Sequence, residues 1–194
     1  MISSVALPTP GGWRLVPPPG SDSERWVAST IADVSESSRE RLTADLNRIV
    51  SVAASDPRVT RTRAVFISAQ ADSQVSAFLT IDYYAAGDDA YAEYWSKVSA
   101  SLEGASTTVG SQVFTGRAIE HELAGSPAVV VHDFLSAATS TGGTALQERY
   151  LAAIFPEDGG IMIEVQITTA DLNLFGNIVD YGDSIANTIT WKAE

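Results

Sequence analysis

The segment Leu146–Thr168, which reads LQERYLAAIF, PEDGG and IMIEVQIT, decides the fold. In residues 161–168 apolar and more polar side chains alternate, a period of two that is typical of a β-strand. Residues 146–155 form a second strand candidate, and the turn-forming residues 156–160 join the two. Strands connected in this way predict an antiparallel pair.

Strand patterns also occur throughout the preceding part of the chain. The alternation is clearest in residues 75–83, and Val129–Val131 is apolar in every position, which indicates a central strand covered on both faces. The sequence predicts further strands at residues 13–16, 25–31, 65–69, 75–83, 113–123 and 128–135.

Three amphipathic segments predict helices, at residues 37–55, 88–102 and 171–188. Ser37 and Glu40 form a capping box at the start of the first helix, and Asp88 is a suitable N-cap for the second. Three helices are enough to cover both faces of a sheet. We therefore expect an α+β fold, an α/β/α sandwich with a mostly antiparallel sheet of about six to seven strands.

The first 20 residues differ in composition from the rest, because they hold five Pro and three Gly. Proline fixes the backbone angle φ and removes a hydrogen-bond donor, so this segment is predicted to be an extended arm with at most one edge strand. The length of 194 residues suits one domain. We expect an arm at residues 1–20 and a single domain at residues 21–194.

The net charge of −12 bears on the class of partner. It argues against nucleic acid and against anionic lipid, which both need a basic surface. Residues 1–63 carry a net charge of +1, whereas residues 64–194 carry −13. This acidic part is either a solvated surface that keeps the domain soluble or a face that meets a basic partner.

The N-terminus has neither the basic region nor the apolar core of a secretory signal. No window of the sequence approaches 18 consecutive apolar residues, so no membrane insertion is expected. We therefore expect a cytoplasmic location.

Motifs for catalysis or cofactor binding are not recognisable. The chain has no Cys and two His, His121 and His132. On a strand, Glu120 and Glu122 lie on the opposite face from His121, so these three cannot share one metal ion. Neither a G-x-S-x-G motif nor a phosphate-binding glycine loop is present. No catalytic residue, cofactor or metal site is predicted, and we expect a protein that is not an enzyme.

Aromatic residues supply the candidate partner or ligand surface. Helical spacing places three aromatic residues of the second helix on one face, where they either form its core stripe or line a groove. The two tryptophans near the N-terminus either hold the arm to the domain or present an edge to a partner. The candidate residues are Tyr84, Tyr91, Tyr94, Trp95, Trp13 and Trp26.

Three segments resemble the PsbP-like superfamily, which includes many actinobacterial proteins of unknown role. They are Pro10–Arg14, similar to the family's P-x-GW start, Gly125–His132, similar to its G-x-P-A strand, and residues 149–191, similar to its strand, strand, helix and tryptophan end. The resemblance implies a non-enzymatic binding or scaffold protein and supplies no catalytic residue set.

Three hypotheses about function follow. The first is a non-catalytic binding or adaptor domain that recognises a protein through an acidic or edge surface, for which a basic protein is the complementary partner. The second is a small-ligand carrier or an enzyme that uses an aromatic pocket between helix and sheet. The third is a structural homodimer that pairs an exposed sheet edge or an apolar helix face.

Overall fold

The computed structural model describes residues 2–6, 8–56, 61–68, 73–103, 107–108, 111–138, 143–157 and 160–193. Strands and helices follow one another in the order β1 (Ile2–Ala6), β2 (Trp13–Leu15), α1 (Ser23–Thr30), α2 (Glu36–Ser55), β3 (Thr62–Ile67), β4 (Val75–Ala85), α3 (Ala90–Glu103), β5 (Thr107–Thr108), β6 (Ser111–Leu123), β7 (Ser126–Ala138), β8 (Thr144–Ile154), β9 (Ile161–Thr169), α4 (Ile178–Ala186) and β10 (Thr190–Ala193).

The main sheet is antiparallel and has the strand order β2-β3-β4-β9-β8-β7-β6-β5. Among the described residues it has eight strands, and one of them, β5, is two residues long. Strands β1 and β10 form a separate two-stranded sheet. The predicted α+β fold with a mostly antiparallel sheet is confirmed, and the segment quoted first forms the neighbouring strands β8 and β9.

The two faces of the main sheet are covered differently. On one face, which we call the α4 face, α4 packs on a continuous apolar core that includes Tyr150, Ile163, Val165 and Ile167. On the other, the α3 face, α1 and α2 cover the β3 side around Val65, whereas α3 covers the β7 and β8 side. Two separate apolar clusters therefore hold the helices of the α3 face.

The middle of the sheet is apolar on both faces. Residues 128–131 of β7 and residues 150–154 of β8 are buried in every position. Val129 and Val131 face α3, whereas Val130 faces α4. The prediction of a doubly covered central strand at Val129–Val131 is confirmed.

The predicted strand at residues 25–31 is wrong, because these residues lie in or directly after helix α1. The Asp22 side chain accepts a hydrogen bond from the backbone N–H of Arg25 and caps the helix. Val27 is buried against Leu42 and Leu46 of α2. Packing on α2 therefore decides the conformation, and the described residues form four helices rather than the predicted three.

Three helix starts also differ from the prediction. Helix α3 begins at Ala90, so the residue that precedes it is Asp89 and not Asp88. Helix α2 begins at Glu36, so its N-cap is Ser35 and not Ser37. Helix α4 begins at Ile178 rather than at residue 171, because the Asn177 side chain accepts hydrogen bonds from two backbone N–H groups of its first turn.

The N-terminal residues hold two strands, whereas at most one was predicted. Strand β1 pairs with β10, and β2 pairs with β3 at the edge of the main sheet. Among the described helices, none is long and apolar enough to cross a membrane.

Gly182 tests the contact between α4 and the sheet. A Cβ atom at this position would lie 2.6 Å from the ring of the fully buried Tyr150. We predict that Gly182→Ala lowers the free energy of unfolding by about 1–3 kcal/mol, although alanine favours a helix. Urea unfolding measures this change. Gly11→Ala, whose Cβ would meet nothing within 4 Å, is the control, and equal stability of the two variants would contradict the packing.

Candidate functional site

Three of the predicted aromatic residues lie together on α3. Tyr91, Tyr94 and Trp95 are half-buried and pack on the apolar cluster that β7 and β8 form beneath the helix. The ring centroids of Tyr91 and Tyr94 lie 5.3 and 5.9 Å from that of Phe155, in edge-on geometry. These three aromatic residues thus pack on the sheet. A ligand could reach only the surface next to them.

Tyr84 lies on the same face of the sheet as α3. It pairs across the strands with Met162, which belongs to the cluster under α3. Its side chain is 36% exposed, and its hydroxyl donates a hydrogen bond to Oδ2 of Asp82 over 3.2 Å. Tyr84 is therefore partly exposed to solvent and lies near the aromatic residues of α3.

The two tryptophans lie elsewhere. Trp13 is 1% exposed on the α4 face, where its Nε1–H donates to the hydroxyl of Tyr181 over 2.8 Å and its ring stacks on Phe175. Trp26 lies half-buried in the cluster that joins α1 and α2. The six predicted residues therefore occupy three places and do not form one site.

Two cavities open beside α3, on either side of the loop that leads into it. The larger, about 560 Å³, has an apolar floor that includes Tyr91, Pro127, Phe155 and Pro156. Asp88 and Glu157 also line it. We call this the acidic cavity, because two carboxylates line it next to the aromatic and proline rings.

The smaller cavity, about 370 Å³, lies on the other side of the loop, between α3 and the ends of β4 and β9. Asp88, Asp89 and Glu93 line it together with Tyr94. Lys97 is the one cation among the described residues that line either cavity, and its Nζ lies 3.6 Å from the Glu93 carboxylate. Both cavities therefore present negative charge.

Backbone and side-chain hydrogen bonds hold the walls of the acidic cavity. The N–H of Ala86 donates to the carbonyl of Gly160, and the N–H of Phe155 donates to the carbonyl of Pro127, each over 2.9 Å. The Tyr91 hydroxyl donates to Oε1 of Glu120 over 2.9 Å. Loop, hairpin and helix are thus tied together around the opening.

Two of the ion pairs on the α3 face of the sheet contain an almost completely buried carboxylate. Arg149 binds both carboxylate oxygens of Asp133, with 2.9 Å between Nε and Oδ1, and Asp133 is 1% exposed. Arg61 binds Oδ2 of Asp82, whose buried Oδ1 has no hydrogen-bond partner among the residues that the structure describes. These pairs are not apparent from the sequence, because their members are 16 and 21 residues apart along the chain.

Burial changes the titration of the tyrosines of α3. Burial and the nearby Glu164 carboxylate raise the pKa of Tyr94, against a smaller lowering effect of Arg149. Burial, followed by the Glu120 carboxylate, raises the pKa of Tyr91. Both phenols are therefore neutral at pH 7, so they can donate hydrogen bonds but cannot supply charge.

The two histidines bind separate carboxylates. Nε2 of His121 lies 3.2 Å from Asp183, and Nε2 of His132 lies 2.8 Å from Glu148. Within the described ranges, no group of three or more His, Cys, Asp or Glu side chains could hold a metal ion.

A third cavity, about 490 Å³, lies between α2 and β4. Val52 and Phe78 are exposed apolar residues of its wall, and Asp45, Arg48 and Arg63 also line it. Its lining is more apolar than that of the acidic cavity. It lies on the same face of the sheet as α3, but at the part that α2 covers.

No protein-family model and no curated protein matches the chain. Among solved structures, it is similar to LpqN of Mycobacterium tuberculosis, a protein involved in cell envelope biogenesis, with 15% sequence identity and a TM-score of 0.44. The similarity covers 97% of this chain and 83% of LpqN. A likeness at this level carries no argument about function, and the resemblance to the PsbP-like superfamily stays a prediction.

Arg149 tests the ion pair under α3. Arg149→Gln leaves the buried Asp133 carboxylate without its cation, so we predict a loss of about 3 kcal/mol in the free energy of unfolding. Lys97→Gln, which breaks an exposed pair, is the control and should cost less than about 1 kcal/mol. Denaturant unfolding compares the two, and similar losses would contradict a structural role for the buried pair.

Tyr94 gives a prediction about pH. Because the pKa of Tyr94 is raised on folding, its stabilising effect is complete below about pH 10 and is lost as the pH rises further. Wild-type protein should therefore lose free energy of unfolding more steeply above about pH 10 than Tyr94→Phe does. Urea unfolding on both sides of that pH measures the slopes. Parallel slopes would show that Tyr94 is not buried in this way.

Proposed function

We propose that the chain is a non-catalytic binding domain that recognises a basic segment of a partner protein through the acidic cavity. One observation carries this proposal: a cavity of about 560 Å³ combines the rings of Tyr91, Phe155 and two prolines with the carboxylates of Asp88 and Glu157. Apolar rings beside carboxylates suit both the stem and the charged group of an arginine or lysine side chain.

The chemistry of arginine and lysine explains the fit. Their methylene groups pack on apolar and aromatic surfaces while the charged group stays near water. An arginine plane or an ammonium group also interacts favourably with aromatic rings. In the acidic cavity, the rings would hold the stem of the side chain, and Asp88 and Glu157 would pair with its charged group.

The distribution of charge supports the same class of partner. Residues 64–194, which include both cavities, carry a net charge of −13. Such a field raises the rate at which a cationic segment arrives, and it weakens as salt is added. Lys97, which pairs with Glu93, offsets little of this charge.

The packing of α3 favours protein binding over the small-ligand alternative. Tyr91, Tyr94 and Trp95 lie directly on residues of β7 and β8. Each cavity is lined by one residue of this stripe, Tyr91 or Tyr94, and by exposed residues of the loop before α3. A segment that lies across the opening suits this geometry better than a small molecule enclosed between helix and sheet.

Peptide binding tests the proposal. A fluorescein-labelled, arginine-rich hexapeptide should bind the wild-type chain at low salt, and a glutamate-rich hexapeptide should not, as measured by fluorescence anisotropy. Asp88→Asn combined with Glu157→Gln should weaken binding roughly fivefold to tenfold, because two partly exposed charge pairs are lost.

The control for this measurement is Glu24→Gln combined with Glu40→Gln. It makes the same change in net charge at exposed positions of α1 and α2, away from the acidic cavity. We expect it to bind like the wild type. Equal weakening by both double variants would show a general charge effect and would contradict a site at the acidic cavity.

A further inference from the structure

The α3 face of the sheet has an open apolar area between its helices. Helix α2 packs on β3 around Val65, and α3 packs on β7 and β8. Phe78 of β4, which pairs with Val65 across the strands, is 43% exposed. Val52, near the end of α2, is 60% exposed, the highest value for a large apolar side chain among the described residues. Both line the cavity of about 490 Å³ between α2 and β4.

Much of the remaining wall of this cavity is also apolar. Ile49 and Val75 pack on the buried cluster that joins α2 to β3, and Ala53 is buried. Single exposed apolar side chains are common, but several around one cavity of this size are typical of a site for a small apolar ligand. A hydrocarbon group that displaces water from this wall gains the free energy of apolar burial.

Two arginines and one aspartate complete the charged part of the wall. Arg63 already binds the carboxylate of Asp56. Arg48 is exposed, and within the described part of the chain it forms no ion pair, not even with Asp45, three residues before it on α2. Residues 1–63, which include α2, also hold 8 of the 12 lysines and arginines. A guanidinium group is therefore available to an anion at the side of an apolar cavity.

We propose that this cavity binds a small amphiphile, a hydrocarbon chain that ends in a carboxylate. The chain lies against Phe78 and Val52, and the carboxylate binds Arg48. A guanidinium group holds a carboxylate through two parallel hydrogen bonds and is weakly hydrated, so it suits the edge of an apolar cavity. A cationic amphiphile would meet one carboxylate, that of Asp45, against the two guanidinium groups of Arg48 and Arg63.

This site is separate from the acidic cavity. No described residue lines both cavities, and the side chains that would hold the charged group of each ligand have opposite signs. A cationic peptide and an anionic amphiphile therefore bind at different places, and each proposal can fail without the other.

Isothermal titration calorimetry with sodium decanoate tests this inference on the full chain. Decanoate should bind about tenfold more tightly than decylammonium, which has the same hydrocarbon chain and the opposite charge. Hexanoate, which has four fewer methylene groups, should bind more than about tenfold more weakly than decanoate, because each methylene group that leaves water adds to the affinity.

Substitutions on α2 locate the site. Arg48→Gln should weaken decanoate binding about fivefold, because a partly exposed charge pair is lost. Arg41→Gln is the matched control, since it removes the same charge from an exposed position of α2 that is not part of the cavity wall, and it should bind like the wild type. Val52→Asn should weaken binding about threefold. This side chain is 60% exposed, so the substitution leaves the core intact.

Circular dichroism confirms that each variant is folded. Absence of decanoate binding, equal binding of decanoate and decylammonium, or equal effects of Arg48→Gln and Arg41→Gln would overturn the proposal. Sedimentation with phosphatidylglycerol vesicles distinguishes a free amphiphile from a lipid surface. We expect the chain to stay in solution, and co-sedimentation that Arg48→Gln abolishes would contradict a site for a free molecule.

Discussion

Burial of the central strands on both faces is the constraint on which the rest of the structure depends. Residues 128–131 of β7 and residues 150–154 of β8 have no exposed side, so helices must cover each face there. On the α4 face, one helix packs on a continuous core, and Gly182 allows it to approach the Tyr150 ring closely. On the α3 face, α3 must cover Val129, Val131 and Leu151, which fixes where the helix lies and where its first turn opens to solvent.

The α3 face also contains the buried charges. Asp133 and Asp82 are almost completely buried, and each binds an arginine. Removing charges from water is costly, so such pairs add little to stability compared with apolar residues of the same size, but losing one partner is expensive. Each pair joins segments that are distant along the chain. The walls of the acidic cavity likewise come from several elements, namely α3, the β8–β9 connection and the start of β7.

Much of this fold could be predicted from local patterns. The strands at residues 75–83 and 161–168 alternate clearly, and their apolar side chains have nowhere to lie except against helices. Helix α1 could not be predicted, since Trp26, Val27 and Ile31 suit a strand as well as a helix until α2 packs on them. The candidate site could be predicted only in part. Helical spacing places Tyr91 and Tyr94 on one face of α3, but no local sequence pattern places Pro127 or Glu157 beside Tyr91. The excess of carboxylates after residue 63 was the other sequence feature that indicated an acidic binding surface.

Backbone amide chemical shifts, followed by NMR while the arginine-rich hexapeptide is added, test the account most directly. They report where on the folded chain a cation binds, without any substitution. If the acidic cavity is the binding site, the largest shifts will fall at the residues with an amide N–H that line it, which are residues 86–88, Tyr91, Phe155, Glu157, Gly160 and Ile161. These shifts will diminish as salt is added. Shifts that concentrate on α2, or that spread evenly over the acidic surface, would contradict the assignment.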